Sequence, residues 1–312
     1  MQRFTFFVKR FFMFKNKNLL LLHFIVLIWG FSPILGKLIN IEGIVAYQLV
    51  WFRMLITVIT VAVFLLITKQ SIRLPRKDIL TLIGVGTIIA FHWFCFYNAI
   101  NISNVSVTLV AFATGTLFTS IIEPIFYKRK IIRYEIAFGM IIIAAIAMIF
   151  NVIEARYFLG IVFGMLAALT SSFFTVFNSL LVRRIPSSVI AFYELGGGFL
   201  ALTVYLFFAG QFKPAFFELT QKGIGWLCIF SIVGTAYPFI ASVNLMKKIS
   251  PYTVTLTMNL ETVYGIIFAY FIWKKDEAMT PGFYIGTFII LSVIFGNGLL
   301  KNYLKRPKNS LE

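Results

Sequence analysis

Ten apolar stretches, each of about 20 residues, follow one another along the chain. That is the length an α-helix needs to cross a bilayer, whereas membrane β-strands alternate in polarity over about ten residues. Backbone groups in lipid must be hydrogen-bonded internally, so uninterrupted stretches favour helices. The predicted spans are 18–39, 44–68, 79–101, 104–127, 131–151, 158–182, 188–209, 223–246, 252–273 and 280–300. We therefore predict an all-α membrane protein with ten transmembrane helices.

Composition excludes a water-soluble domain and argues against a nucleic-acid partner. Only 12% of the 312 residues are charged, against about 25% in soluble domains. The net charge of +17 is concentrated in the short connections between spans, which is typical of membrane topology rather than of a nucleic-acid surface. Cys95 and Cys228 lie in apolar stretches, and no His/Cys/Asp cluster has the spacing of metal ligands. We expect no metal and no cofactor.

The distribution of basic residues predicts the topology. If the N-terminus is cytoplasmic, 21 of the 28 Lys and Arg residues fall on the cytoplasmic side and six on the other, with Arg53 inside a span. We therefore expect an integral protein of a bacterial inner (plasma) membrane with both termini in the cytoplasm. Residues 1–17 form a basic cytoplasmic N-terminal segment, and 301–312 a basic tail. The first apolar stretch is too long for a signal-peptide core, so we expect it to be retained.

The sequence also contains a weak internal repeat. A shift of 147 residues places SVTLV (Ser106–Val110) on TVTLT (Thr253–Thr257) and aligns the fourth and fifth spans with the ninth and tenth. This predicts two five-helix repeats, 18–151 and 158–300. Because five is odd, the second repeat enters the membrane from the opposite side. Inverted repeats of this kind are typical of secondary transporters, whose substrate site lies near the midplane between the halves.

With these features the chain resembles the EamA-type ten-helix branch of the drug/metabolite transporter superfamily. The residues that carry the resemblance are WGFSPILGK (Trp29–Lys37), the mid-span arginine of YQLVWFRMLI (Tyr47–Ile56), NLETVYGIIFAYFIW (Asn259–Trp273) and PGFYIG (Pro281–Gly286). The resemblance covers nearly the whole chain. It implies secondary transport, often efflux, of amino acids or other small metabolites by alternating access.

Two positions depart from the family's pattern. The family commonly has Glu-Pro where this chain has Glu261-Thr262, and Gly-Glu where it has Lys274-Lys275. Proline interrupts a helix because it lacks the backbone N–H. Without it, we expect no helix break at Thr262.

Two opposite charges are predicted at the same depth in the membrane. Glu261 is ten residues from Pro251, and Arg53 is ten residues from Gly43 on the other side, so each lies about 15 Å deep. Two alternatives follow: a salt bridge that joins the halves, or a pair of cavity groups that bind an amino acid's carboxylate and ammonium. Charges retained at the midplane favour a functional role.

Four further residues are candidates for substrate binding, each with a structural alternative. His92 could serve in proton coupling or be a neutral histidine bonded to a neighbour. Trp29, beside Gly30 and Pro33, could line the cavity at a kink or pack in the core. Asn259 could bind substrate or bond another helix. Tyr264 lies three residues from Glu261, on the same helix face.

Two other membrane carboxylates have less specific signals. Glu194 precedes three glycines that permit close helix approach, and we weigh a gate against a packing role. For Glu123 we favour a structural role.

The predicted function is a secondary transporter, an exporter of a small polar metabolite such as an amino acid. We expect membrane lipid around the helices. For the driving force, we weigh coupling to a proton gradient against facilitated diffusion. The alternative is an intramembrane enzyme acting on a lipid-linked substrate, which isolated acids do not favour. We expect no enzymatic activity.

Overall fold

The computed structural model describes residues 17–128, 155–274 and 280–304, together with 130, 137–138, 140–141 and 144–145. In this part of the chain all regular structure is helical. The long helices are α1 (Lys17–Ile41), α2 (Ala46–Ile67), α3 (Arg76–Ile102), α4 (Val105–Phe126), α5 (Ala155–Leu181), α6 (Ser187–Phe208), α7 (Gln221–Leu245), α8 (Pro251–Ile272) and α9 (Pro281–Leu304). The first eight are each long and apolar enough to cross a membrane. The predicted all-α membrane fold is confirmed, while the predicted span 131–151 lies mostly outside the described residues.

Three of these helices are interrupted near the middle. α1 breaks at Phe31, between Lys17–Gly30 and Ser32–Ile41, with Pro33 near the start of its second half. α4 breaks at Ala113–Thr114, and α7 contains a π-helical turn at Ile232–Ala236. By contrast, α8 is continuous through Thr262, as the missing proline predicts.

Contacts between the halves come in symmetry-related pairs. α2 packs against α6 and α4 against α8, so equivalent helices meet across the interface. The contact of α3 with α5 is matched by α7 with α1, and that of α4 with α5 by α8 with α1. A two-fold relation between inverted repeats produces this pattern. The described helices therefore have the predicted two-repeat architecture.

Glycines allow α3 and α6 to cross closely. A Cβ at Gly86 would overlap the carbonyl oxygen of Glu194, and a Cβ at Gly198 would overlap the carbonyl oxygen of Gly86. A Cβ at Gly197 would collide with the backbone of Ile83. Small residues permit this approach in membrane helices, where close packing replaces the hydrophobic effect as the driving force. This fixes α6 of the second repeat on α3 of the first.

The two ends of the helix bundle differ in character. We call the end where α1 begins the basic face, since it also carries Arg76, Arg183 and Lys247. There, Arg184 Nη1 bonds Asp78 Oδ2 at 2.6 Å and links the chain after α5 to the start of α3. The opposite face is covered by an aromatic cluster, defined as Trp51, Phe52, Phe199, Phe212, Phe216 and Phe217.

A one-turn helix, Pro214–Phe217, holds this aromatic cluster over α2. Gln48 Nε2 donates to the Phe216 carbonyl at 3.2 Å, and Trp51 Nε1 donates to Thr203 Oγ1 at 2.9 Å. Phe216 is buried. The connection between α6 and α7 is therefore anchored to α2 on this side.

Candidate functional site

A cavity lies between the two repeats and encloses about 730 Å³ of empty space, its opening included. Its walls come from α1, α2, α3 and α4 of the first repeat and from α5, α7 and α8 of the second. On α8 the lining residues Val254, Met258 and Glu261 are spaced by four and three, which is one helix face.

The cavity extends further toward the basic face than toward the opposite face. Met246 directly follows α7, and Val254 is three residues into α8, so the walls reach those helix ends. On the other side, Arg53 lies seven residues into α2, beyond the aromatic cluster around Trp51. The cavity wall thus reaches the helix ends at the basic face but not those at the opposite face.

Arg53 is buried at 3% exposure and held by four neighbours. Its Nε donates to Thr235 Oγ1 at 2.8 Å, and its Nη1 donates to the Tyr97 hydroxyl at 2.7 Å. The guanidinium carbon lies 3.8 Å from the Trp93 ring centroid and 3.9 Å from that of Phe230. Cation–π contacts and charged hydrogen bonds offset the loss of hydration. The Nη2 group has no hydrogen-bond partner among the described residues, which leaves it available to a ligand.

The π-helical turn of α7 supplies one of these contacts. Thr235 lies in the turn Ile232–Ala236, and its hydroxyl donates to the Phe230 carbonyl at 2.8 Å while it accepts from Arg53. Such turns insert an extra residue into a helix and are frequent at functional sites. Here the turn places Thr235 and the Phe230 ring on the same arginine.

Glu261 lines the same cavity from α8 and is 5% exposed. Within the part of the chain that the structure describes, its carboxylate has no hydrogen bond and no direct ion pair. Arg53 and Glu261 line the same cavity, yet the two side chains do not form a salt bridge. Burying a carboxylate without a partner is unfavourable, so a cavity group of this kind favours a cationic ligand.

His92 and Trp29 also line the cavity. The His92 Nδ1–H donates to the Ala167 carbonyl at 2.8 Å, and its ring packs between Phe112 and Phe174. This bond fixes the ring's orientation and leaves Nε2 as its other polar atom. Trp29 lies two residues before the break in α1 at Phe31, and it is half-buried.

Asn259 and Tyr264 lie elsewhere. Asn259 is buried and donates from Nδ2 to Thr116 Oγ1 at 2.6 Å, a bond between α8 and α4. Tyr264 packs against Gly30 of α1, where a Cβ would overlap its side chain. Neither residue is part of the cavity wall. Both instead join α8 to the first repeat.

The structure adds wall residues that the sequence did not single out for binding. They are mainly aromatic rings and small hydroxyl side chains, namely Ser32, Trp93, Phe96, Phe112, Ser171, Phe174, Thr175, Thr235, Phe239 and Ser242. Tyr97 and Asn178 also line the cavity. Because 18% of the residues are aromatic, the sequence alone does not distinguish the few that face the cavity.

The remaining membrane carboxylates are placed as follows. Glu123 Oε2 accepts from the Tyr252 backbone N–H at 3.0 Å, at the start of α8. An acidic side chain at a helix N-terminus is stabilised by the helix dipole, which supports the structural role predicted for Glu123. Glu194 is fully buried beside the α3–α6 crossing.

Comparisons with known proteins agree with this architecture. The model of the EamA-like transporter family matches twice, at residues 16–151 and 158–299. A search of curated proteins found no match. A solved structure described as "Crystal structure of protein" is similar in fold, with a TM-score of 0.68 over 94% of this chain and 99% of that chain. Its sequence identity of 14% makes this a likeness of fold alone.

Two inverted helical repeats with a cavity between them define a membrane transporter. The two family matches fall one in each repeat and together span most of the chain. The chain belongs to the EamA-like transporter family. It is therefore an integral membrane transporter of the drug/metabolite superfamily, whose members are transporters rather than enzymes.

Proposed function

We propose that the protein is a secondary transporter of a small zwitterionic metabolite, such as an amino acid, which binds between Arg53 and Glu261. The observation that carries this is the buried Glu261 carboxylate, which lines the cavity without a partner in the described chain. A substrate ammonium would supply the missing partner. The free Nη2 of Arg53 would receive the substrate carboxylate.

The cavity's position supports an inward-facing state in the proposed orientation. With both termini cytoplasmic, the basic face is the cytoplasmic one. The cavity then extends toward the cytoplasm, while the aromatic cluster around Trp51 closes the outer side. Alternating access would open that cluster and close the cavity near Met246 and Val254. An inward-facing cavity can load cytoplasmic substrate, which suits an exporter.

Aromatic rings in the wall favour a substrate with an apolar body. Trp29, Phe96, Phe112, Phe174 and Phe239 surround the charged groups. A zwitterion with an apolar side chain would place its charges on Arg53 and Glu261 and its body on these rings. Coupling to a proton gradient is part of this proposal.

Proteoliposome uptake of labelled amino acids tests the proposal. Wild-type protein should move at least one zwitterionic metabolite, and that metabolite should raise the protein's unfolding temperature. Glu261→Gln should impair this uptake. Glu218→Gln is its matched control, because Glu218 is exposed on the loop before α7. If no solute moves into the vesicles and none stabilises the protein, the proposed function is wrong.

A further inference from the structure

A second buried carboxylate lies directly behind the cavity wall. Glu194 of α6 is 0% exposed, and Asn178 Nδ2 of α5 donates to its Oε2 at 3.1 Å. Asn178 is itself 1% exposed and lines the cavity. One amide side chain therefore separates Glu194 from the space in which substrate would bind.

Two oxygen atoms of this pair have no hydrogen-bond partner in the part of the chain that the structure describes. They are Glu194 Oε1 and Asn178 Oδ1, both fully buried. A buried acceptor without a donor is unfavourable, and an ionised carboxylate in that position is more so. Both unpartnered atoms belong to the two groups that already share one hydrogen bond.

Among the described residues, no positively charged group pairs with Glu194. On the surrounding helices α2 carries Arg53, α3 carries Asp78 and His92, and Arg184 and Lys247 follow α5 and α7. Arg53 is bonded to Tyr97 and Thr235, Asp78 to Arg184, and His92 to the Ala167 carbonyl. Within the described chain none of these groups forms a hydrogen bond or an ion pair with Glu194. A counter-ion therefore has to come from elsewhere, or the carboxyl group has to be neutral.

We infer that Glu194 and Asn178 form a proton-binding site behind the cavity wall. A proton on Oε1 turns that atom into a donor to Asn178 Oδ1, while Asn178 Nδ2 continues to donate to Oε2. One proton then satisfies both unpartnered oxygens and removes the buried charge. The proton reaches the pair from cavity water at Asn178.

The site offers a route to coupling, and this second step rests on the proposed transport function. Asn178 lies on α5, while Glu194 lies on α6 and packs against Gly86 of α3. A movement that separates α5 from α6 breaks the acid–amide pair. The proton then loses its acceptor and is released on the side to which the cavity is open.

Infrared spectroscopy of the full-length protein in lipid bilayers, compared between wild type and variants, tests the protonation directly. Wild-type protein should show a protonated-carboxyl C=O band at neutral pH, and Glu194→Gln should lack it. Glu261→Gln should retain the Glu194 band, and Asn178→Leu should shift it. If the band is the same in wild type and Glu194→Gln, the assignment is overturned.

Thermal unfolding separates a proton from a metal cation. Gln is isosteric with protonated Glu and can donate to Asn178 Oδ1, so Glu194→Gln should unfold within a few degrees of wild type. A wild-type unfolding temperature that rises with NaCl, and not with choline chloride of equal ionic strength, would overturn the proposal if Glu194→Gln abolishes the rise. That result would identify an ionised carboxylate that binds sodium.

The coupling step has its own readout. Once a substrate is known, an imposed pH gradient should change its transport by wild type at least several-fold, and Glu194→Gln should lose this dependence. The variant should still be stabilised by substrate, whereas Glu261→Gln should not be. Gradient dependence that persists in Glu194→Gln contradicts the coupling step. Failure of wild type to transport anything would instead contradict the proposed function and leave the infrared result standing.

Discussion

The two charged walls of the cavity are built in opposite ways. Around Arg53, the protein supplies two hydrogen bonds and two stacked rings, from α3 and α7. Around Glu261, the described chain supplies no hydrogen bond and no direct ion pair. Both residues are nearly fully buried, so burial alone does not distinguish them.

The difference teaches that equal depth does not mean an equal role. Arg53 has neighbours that hold it in one position without substrate, so it contributes to the packing of the cavity as well as to the proposed substrate binding. Among the described residues Glu261 has no such neighbours, and in the proposed function a ligand supplies its partner. The salt-bridge alternative predicted from sequence would have made the two residues equivalent.

The largest expected effect is that of Glu261→Gln. The neutral amide cannot pair with a substrate ammonium, and losing one partner of a buried charged contact costs about 2 kcal/mol or more, or roughly 30-fold in affinity. At a substrate concentration near the wild-type KM, transport should therefore fall by at least about tenfold. Proteoliposome uptake measures this, with Glu218→Gln as the matched control.

Folding of the Glu261→Gln variant provides the check on this interpretation. Because the carboxylate has no partner in the described chain, its removal should leave the unfolding temperature equal to or above that of wild type. A clear loss of thermal stability would show that Glu261 is a packing residue. The comparison between the two walls would then be wrong.

Arg53→Gln should lower the stability of the protein, in contrast to Glu261→Gln. It removes two charged hydrogen bonds and two cation–π contacts, so we expect the protein to be destabilised by about 2–4 kcal/mol. Arg53→Lys should recover only part of this, since an ammonium lacks the planar fork. Thermal unfolding in detergent measures the series, with exposed Arg73→Gln as control. An unchanged unfolding temperature in Arg53→Gln would remove the distinction between the walls.

A smaller effect is expected at the aromatic cluster on the opposite face. Trp51→Ala removes the bond to Thr203 and the ring contacts with Phe216 and Phe199, which should weaken closure there. The test uses a protein in which Cys95 and Cys228 are replaced by Ala and Ser32 by Cys. Adding Trp51→Ala should make this cysteine react about tenfold faster with an impermeant thiol reagent applied on that face. Equal rates with and without Trp51→Ala would mean that the cluster does not close the cavity.

Asn259→Ala should have the smallest effect on transport, although it lies two residues from Glu261. Its amide bonds Thr116 on α4 and does not face the cavity, so we expect about 1 kcal/mol of lost stability and less than a threefold change in substrate affinity. Thermal unfolding and substrate titration measure the two quantities. A large loss of affinity at normal stability would return Asn259 to the binding site.

Much of the fold could be predicted because membrane helices are recognisable in a sequence from the length and polarity of their apolar stretches. The spans, the duplication and the continuous α8 all follow from apolar stretches, the 147-residue shift and the absence of proline at Thr262. Charge at membrane depth is rare and costly, so Arg53 and Glu261 stand out from the sequence alone. The structure places both on one cavity.

Side-chain direction was harder to predict than depth. Asn259 is two residues from Glu261, or about 200° around the helix, and so points away from the cavity. The π-helical turn that brings Thr235 to Arg53 has no sequence signal that we recognised, nor does the break in α4 at Thr114. The pairing of Glu194 with Asn178 depends on how α5 lies beside α6, which no local pattern encodes.

Substrate binding with chemically blocked ligands tests the central claim most directly. For a zwitterionic amino acid that raises the unfolding temperature of wild type, the N-acetyl derivative should lose the effect because it lacks the ammonium that Glu261 would bind. Its methyl ester should lose it because it lacks the carboxylate for Arg53. The unmodified amino acid should fail to stabilise Glu261→Gln. If the N-acetyl derivative stabilises wild type as well as the free amino acid does, Glu261 does not bind a substrate ammonium and the account is contradicted.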